Sequence, residues 1–178
     1  MAIRRRTISD PRPPAEYSVD IAARDALRIA ESRNLKRTPL DVIGLASSIG
    51  LSIEYLPLTP DISGFLKRKG QSWTIGVNSL HHPNRQRFTI AHELGHYFLH
   101  RDHGDFEDRA LFRKEMQYDH REFEANNFAS KLLMPENEFR AQVIRYPANV
   151  DSVARHFGVS KAAATFRADS LGEERIFG

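Results

Sequence analysis

Cysteine is absent from this chain of 178 residues. A disulfide framework and a thiolate metal site are therefore excluded, and any metal ion must be bound by histidine, aspartate or glutamate. The chain also lacks an apolar run as long as the roughly 18 residues that a membrane-spanning helix requires, so we expect no association with a membrane. The basic residues 4–6 precede polar residues and prolines instead of the apolar stretch of a secretory signal. Together with the lack of cysteine, this predicts a cytoplasmic protein.

An excess of charge of one sign is also missing. The formal net charge is only +3, which permits contact with nucleic acid but does not favour it. Hydrophobic residues make up 40% and charged residues 28% of the chain, as in soluble globular domains. We expect a disordered leader over residues 1–17, a core domain over 18–147 and a helix-turn-helix-like C-terminal part over 148–178.

The most informative segment is residues 88–100, which contain the string His92-Glu93-Leu94-Gly95-His96. Residues four apart lie on one face of an α-helix, so His92 and His96 can converge on one divalent cation. The carboxylate of Glu93 projects from a neighbouring direction and is suited to take a proton from a water molecule held by that cation. The pattern therefore predicts a hydrolase with a bound metal ion.

The same string can arise on a solvated helix that binds no metal. Its apolar neighbours argue against that alternative, because they place the motif in or beside a core: Ile90, Ala91, Leu94, Phe98 and Leu99. Two buried imidazoles and a carboxylate without partners are costly, whereas a metal ion satisfies all of them. We favour the metal site.

A catalytic zinc site usually has three protein ligands. His100 continues the spacing of four, but it lies about 12 Å of helix rise from His92, too far for both to bind one ion. A role at the helix end, in packing or in bonding the last carbonyls, is expected for it instead. The extended motif with a further glycine and histidine does not fit, because Leu99 and Asp102 occupy those positions, and His103 is one residue out of register.

The acidic helix predicted over residues 121–133 is the better source of a third ligand. Glu122 shares a helical face with Asn126, which lies one turn further on and can hydrogen-bond a ligating imidazole from outside the metal's ligand shell. Glu124 projects roughly 200° further round the helix, so only one of the two carboxylates can serve. We favour Glu122 as the ligand and expect Glu124 to be a solvated charge.

Apolar periodicity predicts an α+β fold that is mostly helical, in which a small antiparallel sheet of about three strands packs with the metal-binding helix. The extended segments are expected at 51–56, 63–69 and 72–78, with helices at 19–33, 39–49, from about 83 to 100, 121–133, 135–143 and twice within 150–172. A substrate strand is expected to pair with a free edge of the sheet near residues 72–78.

Two sequence blocks, residues 87–100 and 122–135, together resemble the ImmA/IrrE family of bacterial zinc metallopeptidases, and the similarity extends over about residues 20–172. The resemblance implies a thermolysin-like core in which His92, His96 and Glu122 bind zinc and Glu93 is the general base. It also implies a helix-turn-helix repressor as the protein substrate, cut at one site so that stress-response, phage or mobile-element genes are released.

Residues 150–167 have the form helix, glycine turn and serine-capped helix. One interpretation is a DNA-reading helix with Lys161 and Arg167 at phosphates. The other is a helical hairpin that packs on the core or holds the repressor, which we favour because two basic residues are a weak electrostatic signal for DNA.

The hypothesis from the sequence is therefore a zinc endopeptidase, although manganese also accepts this ligand set. Tyr118, His120 and His103 are unranked candidates for stabilising the oxyanion. The alternatives are a DNA-binding regulator or a repressor-sequestering protein with a structural metal site. The presence of Glu93 speaks against both, because neither has a use for a base at that position.

Overall fold

The computed structural model describes residues 18–102 and 120–172. The predicted leader, the segment 103–119 with His103 and Tyr118, and residues 173–178 lie outside the described part. The α+β class is confirmed. The elements are α1 (Val19–Ser32), α2 (Val42–Ser48), β1 (Leu51–Leu56), β2 (Gly64–Lys69), β3 (Ser72–Asn78), α3 (Pro83–His100), α4 (His120–Leu133), α5 (Glu136–Arg145), α6 (Val150–Phe157) and α7 (Lys161–Ser170).

The sheet has the strand order β1-β3-β2, with β1 parallel and β2 antiparallel to β3. The prediction of a purely antiparallel sheet is therefore wrong for β1. The connection over residues 57–63 carries the chain past the position of β3, which then enters between the other two strands. Residues 75–78 of β3 are all buried, as expected for a central strand rather than an edge strand. The predicted substrate edge at 72–78 is wrong for the same reason, because both sides of β3 are already paired.

A buried amide holds this crossover in place. Asn78 is fully buried, and its Nδ2 donates to the carbonyl oxygens of Leu58, Thr59 and Ile62 at 3.3, 3.1 and 2.8 Å. Its Oδ1 accepts from the backbone N–H of Leu80 at 3.0 Å. The end of β3 is thus tied to the loop before β2 and to the turn that leads into α3.

The site is positioned by the packing of α3 against α4. Pro83 begins α3 at a position where its missing N–H costs nothing, and Ile90, Ala91 and Leu94 bury the middle of the helix. A Cβ atom added to Gly95 would lie 3.0 Å from Cα of Ala125 on α4. The absence of that atom lets the two helix backbones approach closely.

The C-terminal helices α6 and α7 have the predicted helix-turn-helix-like form. Gly158 ends α6 in the left-handed region at φ 62°, and the Oγ of Ser160 caps α7 by accepting from the N–H of Ala163 at 3.1 Å. Arg167 is only 3% exposed, and its Nε donates to the carbonyl oxygen of Met134 at 3.0 Å. The interpretation that placed Arg167 at a DNA phosphate is wrong, because this guanidinium is bound within the core.

Lys161, the other basic residue of that interpretation, is exposed but lies 2.7 Å from the carboxylate of Asp151. This ion pair joins α7 to the first turn of α6 and reduces the positive charge that the hairpin presents. Among the described residues, no helix combines the length and the apolar character needed to cross a bilayer.

The contact at Gly95 predicts a graded loss of stability with side-chain size. Gly95→Ala forces neighbouring atoms to yield by a few tenths of an ångström, and this overpacking costs about 1–3 kcal/mol. A gain of about 1 kcal/mol in helix propensity offsets part of that cost. Gly95→Val adds two further methyl groups and gains less in helix propensity than alanine does, so its free energy of unfolding in urea should fall well below that of the alanine variant. A valine variant as stable as the unmodified protein would contradict the close approach.

Candidate metal centre

Three side chains from two helices meet at one point. Nε2 of His92 and Nε2 of His96 are 3.1 Å apart, and each lies 3.2 Å from one oxygen of the Glu122 carboxylate. Their potential ligand atoms all lie within 4.8 Å of one another. The structure thus brings together the two histidines and the glutamate that the sequence predicts as ligands.

These separations suit a single ion. Two atoms bound to zinc at about 2.0–2.1 Å in a tetrahedral arrangement lie roughly 3.3 Å apart, close to the distances between these three groups. Two neutral imidazoles and a carboxylate are also the donor set that a divalent first-row cation accepts. We call these three residues the candidate metal centre.

The centre is buried on one side and open on the other. His92 and His96 are buried, whereas the side chain of Glu122 is 40% exposed. Glu122 lies in the first turn of α4, where the helix dipole favours a negative charge. The carboxylate of Glu122 is therefore partly accessible to solvent, whereas the two imidazoles are held by the core.

Asn126 lies where the sequence predicts it. Its Oδ1 is 2.9 Å from Nδ1 of His92. An amide oxygen only accepts, so Nδ1 of His92 carries the proton and its Nε2 presents a lone pair to the candidate metal centre. This contact fixes both the tautomer and the ring orientation of His92.

His100 packs at the end of α3, one of the two roles expected for it, whereas Glu124 is not the solvated charge that the sequence predicts. Nδ1 of His100 lies 3.0 Å from Nδ1 of His96, and its Nε2 lies 3.0 Å from Oε2 of Glu124. Burial lowers the pKa of His100, and the hydrogen bond with Glu124 offsets part of that effect. The imidazole of His100 is thus neutral near pH 7 and contacts its neighbours' side chains rather than the last carbonyls of α3.

The geometry of α4 explains why Glu124 is not a solvated charge. Ala125 faces α3 at Gly95, so the neighbours Glu124 and Asn126 lie about 100° to either side of the contact. Glu122 lies about 60° from Ala125 around the helix axis, on the same side as Asn126. Both carboxylates therefore reach α3 on opposite flanks of one crossing.

Glu93, the predicted base, is only 1% exposed and follows the first histidine directly. Of the residues considered for the oxyanion, His120 lies in the described part. Its Nε2 is 3.5 Å from Oε1 of Glu124, and its side chain is 81% exposed. The oxyanion role of His120 stays a prediction, as do those of Tyr118 and His103.

A comparison with protein families agrees with this arrangement. The model of the IrrE N-terminal-like domain family, Peptidase_M78, matches residues 46–169. The chain belongs to this family. The resemblance to ImmA/IrrE proteins is thereby confirmed, and the match spans β1–β3, both helices of the candidate metal centre and most of α7. Membership of an IrrE-like peptidase family supports a metallopeptidase.

A curated relative and a solved structure extend the comparison. The "Uncharacterized immunity region protein 2" of Bacillus phage phi105 is 37% identical over 94 residues, which are 52% of this chain and 57% of that protein. The chain thus spans little more than half of the length of this relative. A Mycobacterium tuberculosis transcriptional regulator matches with a TM-score of 0.60 and 20% identity, covering 90% of this chain and 50% of that one. At this identity, the likeness shows the fold alone.

Removal of the Glu122 carboxylate should abolish tight metal binding by the IrrE-like core. Partners outside the ligand shell typically contribute about 10–100-fold to metal affinity, so loss of a ligand should cost more than that. Titration of Glu122→Ala with zinc, followed by calorimetry, should show a dissociation constant raised by more than about 100-fold.

Glu54→Ala is the matched control, because Glu54 is an exposed glutamate of β1. This variant should bind zinc as the unmodified protein does. Equal zinc affinities of the Glu122 and Glu54 variants would show that Glu122 is not a ligand.

Proposed function

We propose that this protein is a zinc-dependent endopeptidase that cleaves a helix-turn-helix transcriptional repressor at one site. The observation that carries the proposal is the convergence of two imidazole nitrogens and one carboxylate, each imidazole nitrogen 3.2 Å from a carboxylate oxygen, beside the buried Glu93. The family match supports the peptidase class.

His92, His96 and Glu122 would hold the ion, and they are the donor set of known catalytic zinc sites. When bound, zinc lowers the pKa of water and polarises a peptide carbonyl. Asn126 and the buried surroundings of α3 hold the two imidazoles so that their Nε2 lone pairs converge. The first-turn position of Glu122 completes the ligand set from the open side.

Glu93 is the proposed general base. Its carboxylate takes the proton of the attacking water and delivers it to the leaving amine as the peptide bond breaks. The adjacent position in the chain fixes Glu93 relative to His92, and burial limits the access of competing water to its carboxylate.

The substrate would bind as an extended strand at an open edge of the sheet. β1 and β2 are the two edges, and β2 belongs to the hairpin that packs on α3. Backbone groups on the outer side of β2 are suited to pair with an extended peptide. We therefore assign the substrate edge to β2 in place of residues 72–78.

Transcriptional control is the proposed setting. The phage relative carries the name of an immunity region protein, which supports a target among regulators of phage or mobile-element genes. Such a repressor is cytoplasmic, and we place this protein in the same compartment. Direct DNA binding is the weaker alternative, because Arg167 is buried against Met134.

Glu93→Gln separates proteolysis from sequestration. The amide keeps the shape of the side chain but does not accept a proton, so the cleavage rate should fall by about 10²–10⁴-fold while zinc affinity stays unchanged. The rate is measured by mass spectrometry of fragments, from the helix-turn-helix repressor encoded nearest to this gene and from a library of proteome-derived peptides.

Glu54→Gln serves as the control and should cleave at the unmodified rate, and 1,10-phenanthroline should stop cleavage. A Glu93→Gln variant that still inactivates the repressor without fragments would favour sequestration. Zinc-loaded protein that cuts neither the repressor nor any peptide of the library would overturn the proposal.

A further inference from the structure

Three buried or half-buried side chains, those of His96, His100 and Glu124, form a hydrogen-bonded chain that leads away from the candidate metal centre. Nδ1 of His96 meets Nδ1 of His100 at 3.0 Å, and Nε2 of His100 meets Oε2 of Glu124 at 3.0 Å. His100 is almost fully buried, and the side chain of Glu124 is 30% exposed. Both ring nitrogens of His100 are thus engaged by side chains from α3 and α4.

The positions of the protons follow from hydrogen-bonding rules. A neutral imidazole carries one N–H and one lone pair, and a carboxylate only accepts. Nε2 of His100 therefore donates to the carboxylate of Glu124. Nε2 of His96 can bind a metal ion only through a lone pair, so the proton in the contact between the two histidines belongs to Nδ1 of His96, and Nδ1 of His100 accepts it. The Nε2 lone pair of His96 is then directed at His92 and Glu122.

We propose that His100 and Glu124 are positioning residues, and that together they fix the tautomer and orientation of His96 for metal binding. The proposal rests on the proposed metal site. It assigns to His96 a support different from that of His92, whose Nδ1 donates to the neutral amide of Asn126. His96 donates instead into a chain that ends on an anion, which makes its Nε2 the more electron-rich ligand.

The positions of Asn126 and Glu124 on α4 agree with these two separate roles. Asn126 and Glu124 lie on opposite flanks of α4, on either side of the contact between Ala125 and Gly95. Asn126 contacts His92 and Glu124 contacts His100, which are the two ends of the row of three histidines on α3. A helix that supplies one ligand, Glu122, thus also sets the tautomers of the other two.

The test compares zinc affinity across variants that change one link at a time. Glu124→Gln keeps an oxygen acceptor but removes the charge, and we expect zinc to bind about 10-fold more weakly. His100→Phe leaves the N–H of His96 without an acceptor, and a loss of about 10–100-fold is expected. His100→Gln restores an acceptor oxygen and should recover part of that loss.

Glu138→Gln is the matched control. Glu138 lies on α5, its side chain is 28% exposed, and its Oε1 is 3.1 Å from Nε2 of another histidine, His156. This variant removes a similar carboxylate–histidine contact away from the candidate metal centre. It should lower the stability of the metal-free protein no less than Glu124→Gln, yet leave zinc affinity unchanged.

A second measurement reads the tautomers directly. Two-bond proton–nitrogen spectra of the zinc-loaded protein should show His96 protonated at Nδ1 and His100 neutral and protonated at Nε2. In Glu124→Gln, the proton of His100 should become distributed between its two nitrogens. Circular dichroism of each metal-free variant checks that the fold is retained.

Several results would overturn the proposal. One is zinc affinity within twofold of the unmodified protein in both folded Glu124→Gln and folded His100→Phe. Another is a loaded protein in which His96 is protonated at Nε2 or His100 at both nitrogens. A protein that binds no zinc overturns the metal site and the positioning roles together. Normal zinc affinity without proteolysis overturns only the peptidase.

Discussion

The close approach of α3 and α4 at Gly95 and Ala125 is the constraint on which the site depends. A helix presents side chains about every 100°, so the residue that faces a partner helix is flanked by two that point past it. Here the facing residue is Ala125, and the polar groups that reach α3 stand on either side of it. Any larger residue at the crossing would move all of these groups away from the histidines at once.

The same contacts stabilise the fold and organise the chemistry. α3 buries His92, Glu93, His96 and His100 in its C-terminal half, and buried polar groups are costly unless they are hydrogen-bonded. Two side chains of α4 offset this cost at the histidines: Asn126 bonds Nδ1 of His92, and Glu124 bonds Nε2 of His100. The Nε2 atoms of His92 and His96 are left to face Glu122. Stability of the interface and the direction of the lone pairs therefore have one origin.

Local periodicity explains which parts of this arrangement are predictable from the sequence. The spacing of four places His92 and His96 on one face, and the same spacing relates Glu122 to Asn126. The partner of Glu124 depends on how α4 is rotated against α3, which no single-helix pattern contains. The strand order cannot be predicted from local periodicity for a similar reason. It depends on the path of residues 57–63, which the buried Asn78 fixes through its hydrogen bonds.

Charge patterns are the least reliable guide, as Arg167 illustrates. On a serine-capped helix after a glycine turn, a basic residue suggests a contact with phosphate. In the structure, its guanidinium instead donates to the carbonyl of Met134, just beyond the C-terminal end of α4. Burial lowers the pKa of Arg167, but guanidinium remains charged at physiological pH, and a cation at a helix C-terminus is favourable. α7 thus contacts the C-terminal end of α4, and Glu122 lies at the N-terminal end of the same helix. The C-terminal hairpin therefore contributes to the site through α4.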